Sequence, residues 1–264
     1  MHQRPVGVMD SGIGGLTVLR KLIDRFPGEH FIYFGDTARV PYGIHSAPVI
    51  TRYTREIIDF FLRKKIKLGI LACNTASALA LPVIEDDYTV PLVGVVKAGA
   101  RAAAGYAKHG TVAIIATKAT IASGAYKASL HALAPKIKTV EAACPLFVPL
   151  VEESWIDHPV TRLVAKTYLT PLLKAHPKAL ILGCTHYPLL SGAIAKIMGP
   201  AVKLIDSPSA VAHEVASLLD SIGHAPGTKT KVDFFVTDDA EGFKRKARFF
   251  FGGPLPGPIC LVRL

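Results

Sequence analysis

Two cysteines sit in matched surroundings. Residues 65–75 read KIKLGILACNT and residues 177–186 read PKALILGCTH. Each stretch has a lysine, an apolar run, a small residue, and then a cysteine followed by amide or hydroxyl side chains. A cysteine at a strand end and helix start meets loose backbone N–H groups and the positive end of a helix dipole, which lower a thiol pKa from about 8.5. Such a thiol can take a proton in one direction and return it in the other. A lone cysteine reads as a small buried hydrophobe, but two in one context, Cys73 and Cys184, read as an acid/base pair. The four cysteines include no C-x-x-C, so neither a redox motif nor a zinc ribbon is indicated.

Other polar groups cluster near the same kind of junction. DSGIGG, from Asp10, is a glycine-rich turn with Asp36 downstream, like a dinucleotide fingerprint. Thr17 occupies the third glycine's place, and a carboxylate at Asp10 would repel a pyrophosphate. Asp10 therefore reads as a charged partner to an amino group or a thiol. Pro41-Tyr42-Gly43 is a turn by composition. Thr117 and Thr120 straddle another strand-to-helix junction, where hydroxyls cap helices or touch ligands. Glu152 reads as helix surface. His186 with Cys184 offers only two metal ligands, too few for a site.

Short β-rich runs must position these groups. Residues 6–9, 31–34, 68–72, 92–96, 112–116, 138–142, 179–183, 202–205 and 232–237 read as strands, with helical patterns between them such as 16–26. Strand–helix alternation predicts α/β domains with mostly parallel, doubly wound sheets, and ligands beyond the strands' carboxyl ends. The repeated cysteine context, with a weaker echo between Asp10-Ser11 and residues 112–117, predicts two similar domains and an active site in the cleft between them. The first is expected over 1–97 plus 207–264 and the second over 98–206.

The 264 residues are half apolar, which suits a packed core. The opening ten residues carry no basic-flanked apolar run, and the uncharged stretch 68–84 is broken by Asn74, Thr75, Ser77 and Pro82. Neither a secretory signal nor a membrane span is expected, and the location reads as cytoplasmic. The net charge is +11. Its densest run, Lys244 to Arg248, follows Asp238 and Glu241 in an N-cap and N3 pattern, so it reads as a solvated helix face rather than a nucleic-acid patch.

These motifs together resemble the glutamate racemases of the aspartate/glutamate racemase family. DSGIGGLTVL from Asp10, GDTARVPYG from Gly35, ACNTAS from Ala72, FVPLVE from Phe147, GCTHYPLL from Gly183 and FFVTDDAEGF from Phe234 are similar to that family's blocks, in order. Aspartate racemases share two cysteines, but the DSGIGG and PYG blocks favour the glutamate enzymes. The resemblance implies interconversion of L- and D-glutamate without a cofactor or metal, supplying D-glutamate for peptidoglycan. It implies that Cys73 and Cys184 are the acid/base residues, assisted by Asp10, Glu152 and His186. It assigns substrate contacts to Asp10, Ser11, Tyr42, Gly43, Asn74, Thr75, Thr185 and His186, to which Pro41, Thr117 and Thr120 are added as candidates from their own positions, and implies a homodimer. Val96-Lys97-Ala98 stands where the family usually reads Ile-Glu-Pro, a departure bearing on loop structure and regulation. The alternatives are an aspartate or other amino-acid racemase, or a non-catalytic protein that binds an acidic amino acid.

Overall fold

A computed structural model describes residues 3–225, 227 and 229–264. Among these residues ten strands form two sheets: β1 Val6–Asp10, β2 His30–Gly35, β3 Leu68–Leu71, β4 Leu92–Gly94, β5 Thr111–Ala116, β6 Lys138–Ala143, β7 Ala179–Gly183, β8 Lys203–Asp206, β9 Lys231–Val236 and β10 Ile259–Leu261. The first sheet has the order β10-β9-β2-β1-β3-β4 and the second β6-β5-β7-β8. Every pairing is parallel. Strands β1, β3 and β7 are buried throughout, as expected where helices cover both faces of a parallel sheet.

The second sheet repeats the first. Its order matches β2-β1-β3-β4 strand for strand, with β5 in the place of β1 and β7 in that of β3. Cys73 therefore follows the third strand of one sheet and Cys184 the third strand of the other. In both sheets the strand order reverses about the first strand, and the crevice at such a reversal is where α/β sheets place ligands. Strands β9 and β10 extend only the first sheet, beyond β2.

The chain enters the second lobe through helix Val95–Ala107 and returns through helix Ser207–Ile222, and these two helices pack together. One apolar cluster runs from Val8 and Leu19 through Val95, Ala98 and Val211 to Ile115 and Leu182, so the lobes share a core. The expected division at 97/98 falls inside the first of these helices.

Several expectations need correction. Val95 and Val96 read as strand, yet they open a helix, because the small residues that follow sustain a helical face buried at Ala98, Ala100 and Ala103. The Val96-Lys97-Ala98 departure consequently lies in a helical first turn rather than a loop, with Lys97 Nζ 2.8 Å from Glu85. Helix Ala240–Phe251 is capped by Asp239, which accepts from the Gly242 amide, and not by Asp238. Strand β10 carried no sequence signal, being three residues after a run rich in Gly and Pro.

Candidate functional site

Asp10 ends β1 and the glycine turn that follows wraps its carboxylate. Oδ2 accepts the Gly12 amide at 3.0 Å, whereas Oδ1 is buried without a hydrogen-bond partner. Burial pushes the Asp10 carboxyl up, against the pull of His186 and the turn's amides. The turn is held by the Tyr33 hydroxyl, which donates to the Gly12 carbonyl at 2.9 Å. A Cβ at Gly14 would collide with Thr185 Oγ1 and stand 2.7 Å from His186 Nδ1, so only glycine lets this turn meet the Cys184 segment. Thr17 Oγ1 adds a 3.3 Å bond to the Thr185 carbonyl.

Cys73 is the N-cap residue of helix Asn74–Leu79 and is 6% exposed. Its Sγ lies 3.6 Å from Ser11 Oγ. The expected lowering of its pKa is reversed. Burial and then the Asp10 carboxylate push the thiol up to about 12, outweighing the Ala76 amide and the Ser11 hydroxyl. The helix terminus acts in the expected direction but is the smaller effect, so Cys73 rests as a neutral thiol.

Cys184 follows β7 but does not open a helix: a turn at 184–186 leads into a 3-10 segment, Tyr187–Leu190. Its Sγ is 3.9 Å from His186 Nδ1, and His186 Nε2 is 3.2 Å from Glu152 Oε1. Glu152 is thus a partner of the buried histidine and not merely helix surface. Burial would lower the His186 pKa, but the bonds to Cys184 and Glu152 raise it to about 10. The resulting imidazolium sets a positive charge beside the sulfur, where negative charge forms when the thiol yields its proton. Phe250 packs edge-on to this ring at 5.2 Å.

Hydroxyls and amides cluster near the two cysteine segments. Thr75 Oγ1 is 3.2 Å from Thr117 Oγ1 and 3.3 Å from Thr120 Oγ1, bringing both lobes into one cluster. Thr117 also caps its helix through the Thr120 amide, so capping and contact with the other lobe coexist. Pro41 is exposed, while Tyr42 is buried and donates its hydroxyl to Asp36. Asp36 also takes Arg39 Nε at 2.7 Å and Thr237 Oγ1 at 2.9 Å, so it braces this loop. A Cβ at Gly43 would come within 3.3 Å of Thr117, so the loop meets the opposite lobe there. Sequence reasoning missed Tyr33, Phe250, Tyr126 and Ser207. The last two bond the Asn74 amide, and nothing in their local sequence marks them. Among the described residues no three His, Cys, Asp or Glu side chains gather as a metal cage, and no helix is long and apolar enough to cross a membrane.

Two repeated α/β lobes, each with a cysteine just past its third strand, define a two-lobed α/β protein. The chain belongs to the Asp/Glu/Hydantoin racemase family, whose model matches residues 6–215. It is 46% identical over 256 residues to glutamate racemase of Syntrophus aciditrophicus, a match covering 96% of this chain and 94% of that one. Its fold superposes on a glutamate racemase from Bacillus anthracis with a TM-score of 0.96 at 35% identity, covering 100% and 99% of the two chains. The structure of Francisella tularensis glutamate racemase in complex with D-glutamate matches with a TM-score of 0.92 at 36% identity, covering 100% and 98%.

Proposed function

We propose that this protein interconverts L- and D-glutamate by a two-thiol proton transfer, with Cys73 and Cys184 as the acid/base pair. The observation that carries the reading is their equivalence: one sulfur follows the third strand of each repeated lobe. An α-proton is very weakly acidic, and the neighbouring carboxylate enlarges the charge that its removal creates. Donors at Asn74, Thr75 and Thr185, with the amide end of helix Asn74–Leu79, offset that charge. Ser11, Tyr42, Gly43, Thr117 and Thr120 line the remaining contacts, and Pro41 shapes the loop.

In the reading the resemblance supplies, Cys184 removes the proton of the L-enantiomer and Cys73 that of the D-enantiomer. One thiolate takes the α-hydrogen, the electron pair remains on the substrate as a carbanion, and the opposite thiol returns a proton to the other face. Asp10 assists at Cys73; His186, held by Glu152, assists at Cys184. A closed cleft keeps water from the carbanion. The reaction needs no added cofactor, and its product supplies peptidoglycan synthesis in the cytoplasm, with the protein acting as a homodimer. The lobes correspond to 1–97 plus 207–264 and to 98–206.

The test is L-glutamate in deuterated water without cofactor. Loss of the α-proton signal together with appearance of D-glutamate is expected. Binding without exchange would make this an acidic amino-acid binding protein, and equal turnover of aspartate would shift the substrate.

A further inference from the structure

We infer that Tyr126 is a positioning residue that sets the orientation of the Asn74 side-chain amide. The inference rests on the reading of Asn74 as a donor to the substrate carboxylate. Asn74 belongs to the first lobe, one residue past Cys73, and is 2% exposed. Its amide is held from other parts of the chain. The Tyr126 hydroxyl donates to Asn74 Oδ1 at 2.6 Å, and Asn74 Nδ2 donates to Ser207 Oγ at 3.4 Å.

Hydrogen-bond roles fix the sense of this arrangement. Ser207 Oγ lies 3.4 Å from the Leu182 carbonyl and 3.5 Å from Asn74 Oδ1. With the single Ser207 hydrogen directed at the Leu182 carbonyl, the nearer of the two acceptors, the serine oxygen accepts from Nδ2. Tyr126 then supplies the donor for Oδ1, and the second Nδ2 hydrogen remains for a ligand. An inverted amide would lose the tyrosine donor to Oδ1 and, with the serine hydrogen on Leu182, set two acceptor oxygens together.

The ring is seated to do this. It is 1% exposed and lies between two glycines. A Cβ at Gly99 would be 3.3 Å from Cε1, and one at Gly183 would be 3.0 Å from Cε2. Gly99 belongs to the helix entering the second lobe, and Gly183 immediately precedes Cys184. Burial pushes the phenol pKa up, so it stays a neutral donor across the working pH range. A side chain of the second lobe therefore orients a binding group of the first.

A double-mutant cycle on the full chain tests this. Tyr126→Phe should lower kcat/KM for glutamate about tenfold, mainly through KM, given what one buried hydrogen bond contributes. In an Asn74→Ala background the same change should have no further effect. A full tenfold loss in that background, or no loss from Tyr126→Phe alone, overturns the inference. Wild-type kcat/KM in Asn74→Ala would instead overturn the reading of Asn74 and the inference with it. If Tyr126→Phe fails to fold by circular dichroism, Gly99→Ala moves the ring by a few tenths of an ångström. Its smaller loss should likewise vanish with Asn74→Ala, and persistence there refutes the role.

Discussion

Gly14 packs against Thr185 and His186 with no room for a methyl group between them. Gly14→Ala should therefore push apart the glycine turn and the Cys184 segment. Displacements of about 1 Å can cost about 100-fold in rate, and a loss of that order in kcat/KM is expected in steady-state assays. Gly105→Ala is the control, since a Cβ there meets nothing within 4 Å. It should leave activity unchanged and raise Tm slightly, as helix-interior Gly→Ala changes do.

Replacing either thiol should abolish racemisation, because one base cannot invert the centre alone. Cys73→Ala and Cys184→Ala are each expected to lose at least about 10²–10⁴ in rate. Both should stay folded, since trimming one small buried side chain removes little packed volume. Polarimetry reads the activity and thermal denaturation the fold. Near-normal turnover in a folded variant would return that cysteine to the core.

Because the Asp10 carboxylate is the second cause, after burial, of the raised Cys73 pKa, Asp10→Asn should bring that pKa down from about 12. Iodoacetamide should then alkylate Cys73 faster at pH 8 in the variant than in the wild type, as the thiolate is the nucleophile. Peptide mass mapping measures the rate, with exposed Cys260 as internal reference. The same variant should lose more in kcat than in KM. An unchanged alkylation rate would remove Asp10 from the electrostatics of Cys73.

The His186 pKa, raised to about 10, fixes a second pH dependence. Stability from the charged ring is complete below its ordinary value of about 6.5 and fades as pH rises towards about 10. Glu152→Gln removes one of the two hydrogen-bonding causes and should move that loss downward. Comparing Tm from pH 6 to 10 should show the variant weakening earlier, and its activity should fall between pH 7 and 9 where the wild type holds. Superimposable profiles would exclude the pairing.

Away from the cleft, Lys67 Nζ meets Glu29 Oε2 at 2.8 Å with both side chains at least 97% buried. Glu29 Oε1 also accepts the Ala225 amide at 2.8 Å, tying the returning chain to the first lobe. Lys67→Met removes the buried carboxylate's ammonium partner and should destabilise by about 3–5 kcal/mol. A fall in Tm of roughly 10 °C by calorimetry is expected.

Local sequence carried the architecture well where apolar runs were long. The strands that became β1, β2, β5 and β7 were readable, as was the echo that made Cys73 and Cys184 equivalent. It failed where the deciding contact is distant. The Cys73 thiol was read from its helix terminus, yet burial and Asp10, which reaches it from β1, control it. Val95 and Val96 have strand residue types, but the alanine-rich stretch behind them packs as a helix. Tyr126 and Ser207 sit far from Asn74 in the chain, so only the folded arrangement shows that they bond its amide.

Strand β9, close to the carboxyl terminus, is inserted between β2 and β10. On a ribosome, β2 therefore emerges long before its neighbour exists, and it must wait with one row of backbone amides and carbonyls open. The second lobe has all four of its strands between residues 111 and 206, and can be completed first. The protein should thus be assembled from the middle outward, with its earliest-made lobe finished last. Truncations that remove residues 231–264 should yield a chain whose second lobe is sound but whose bare β2 edge recruits other chains.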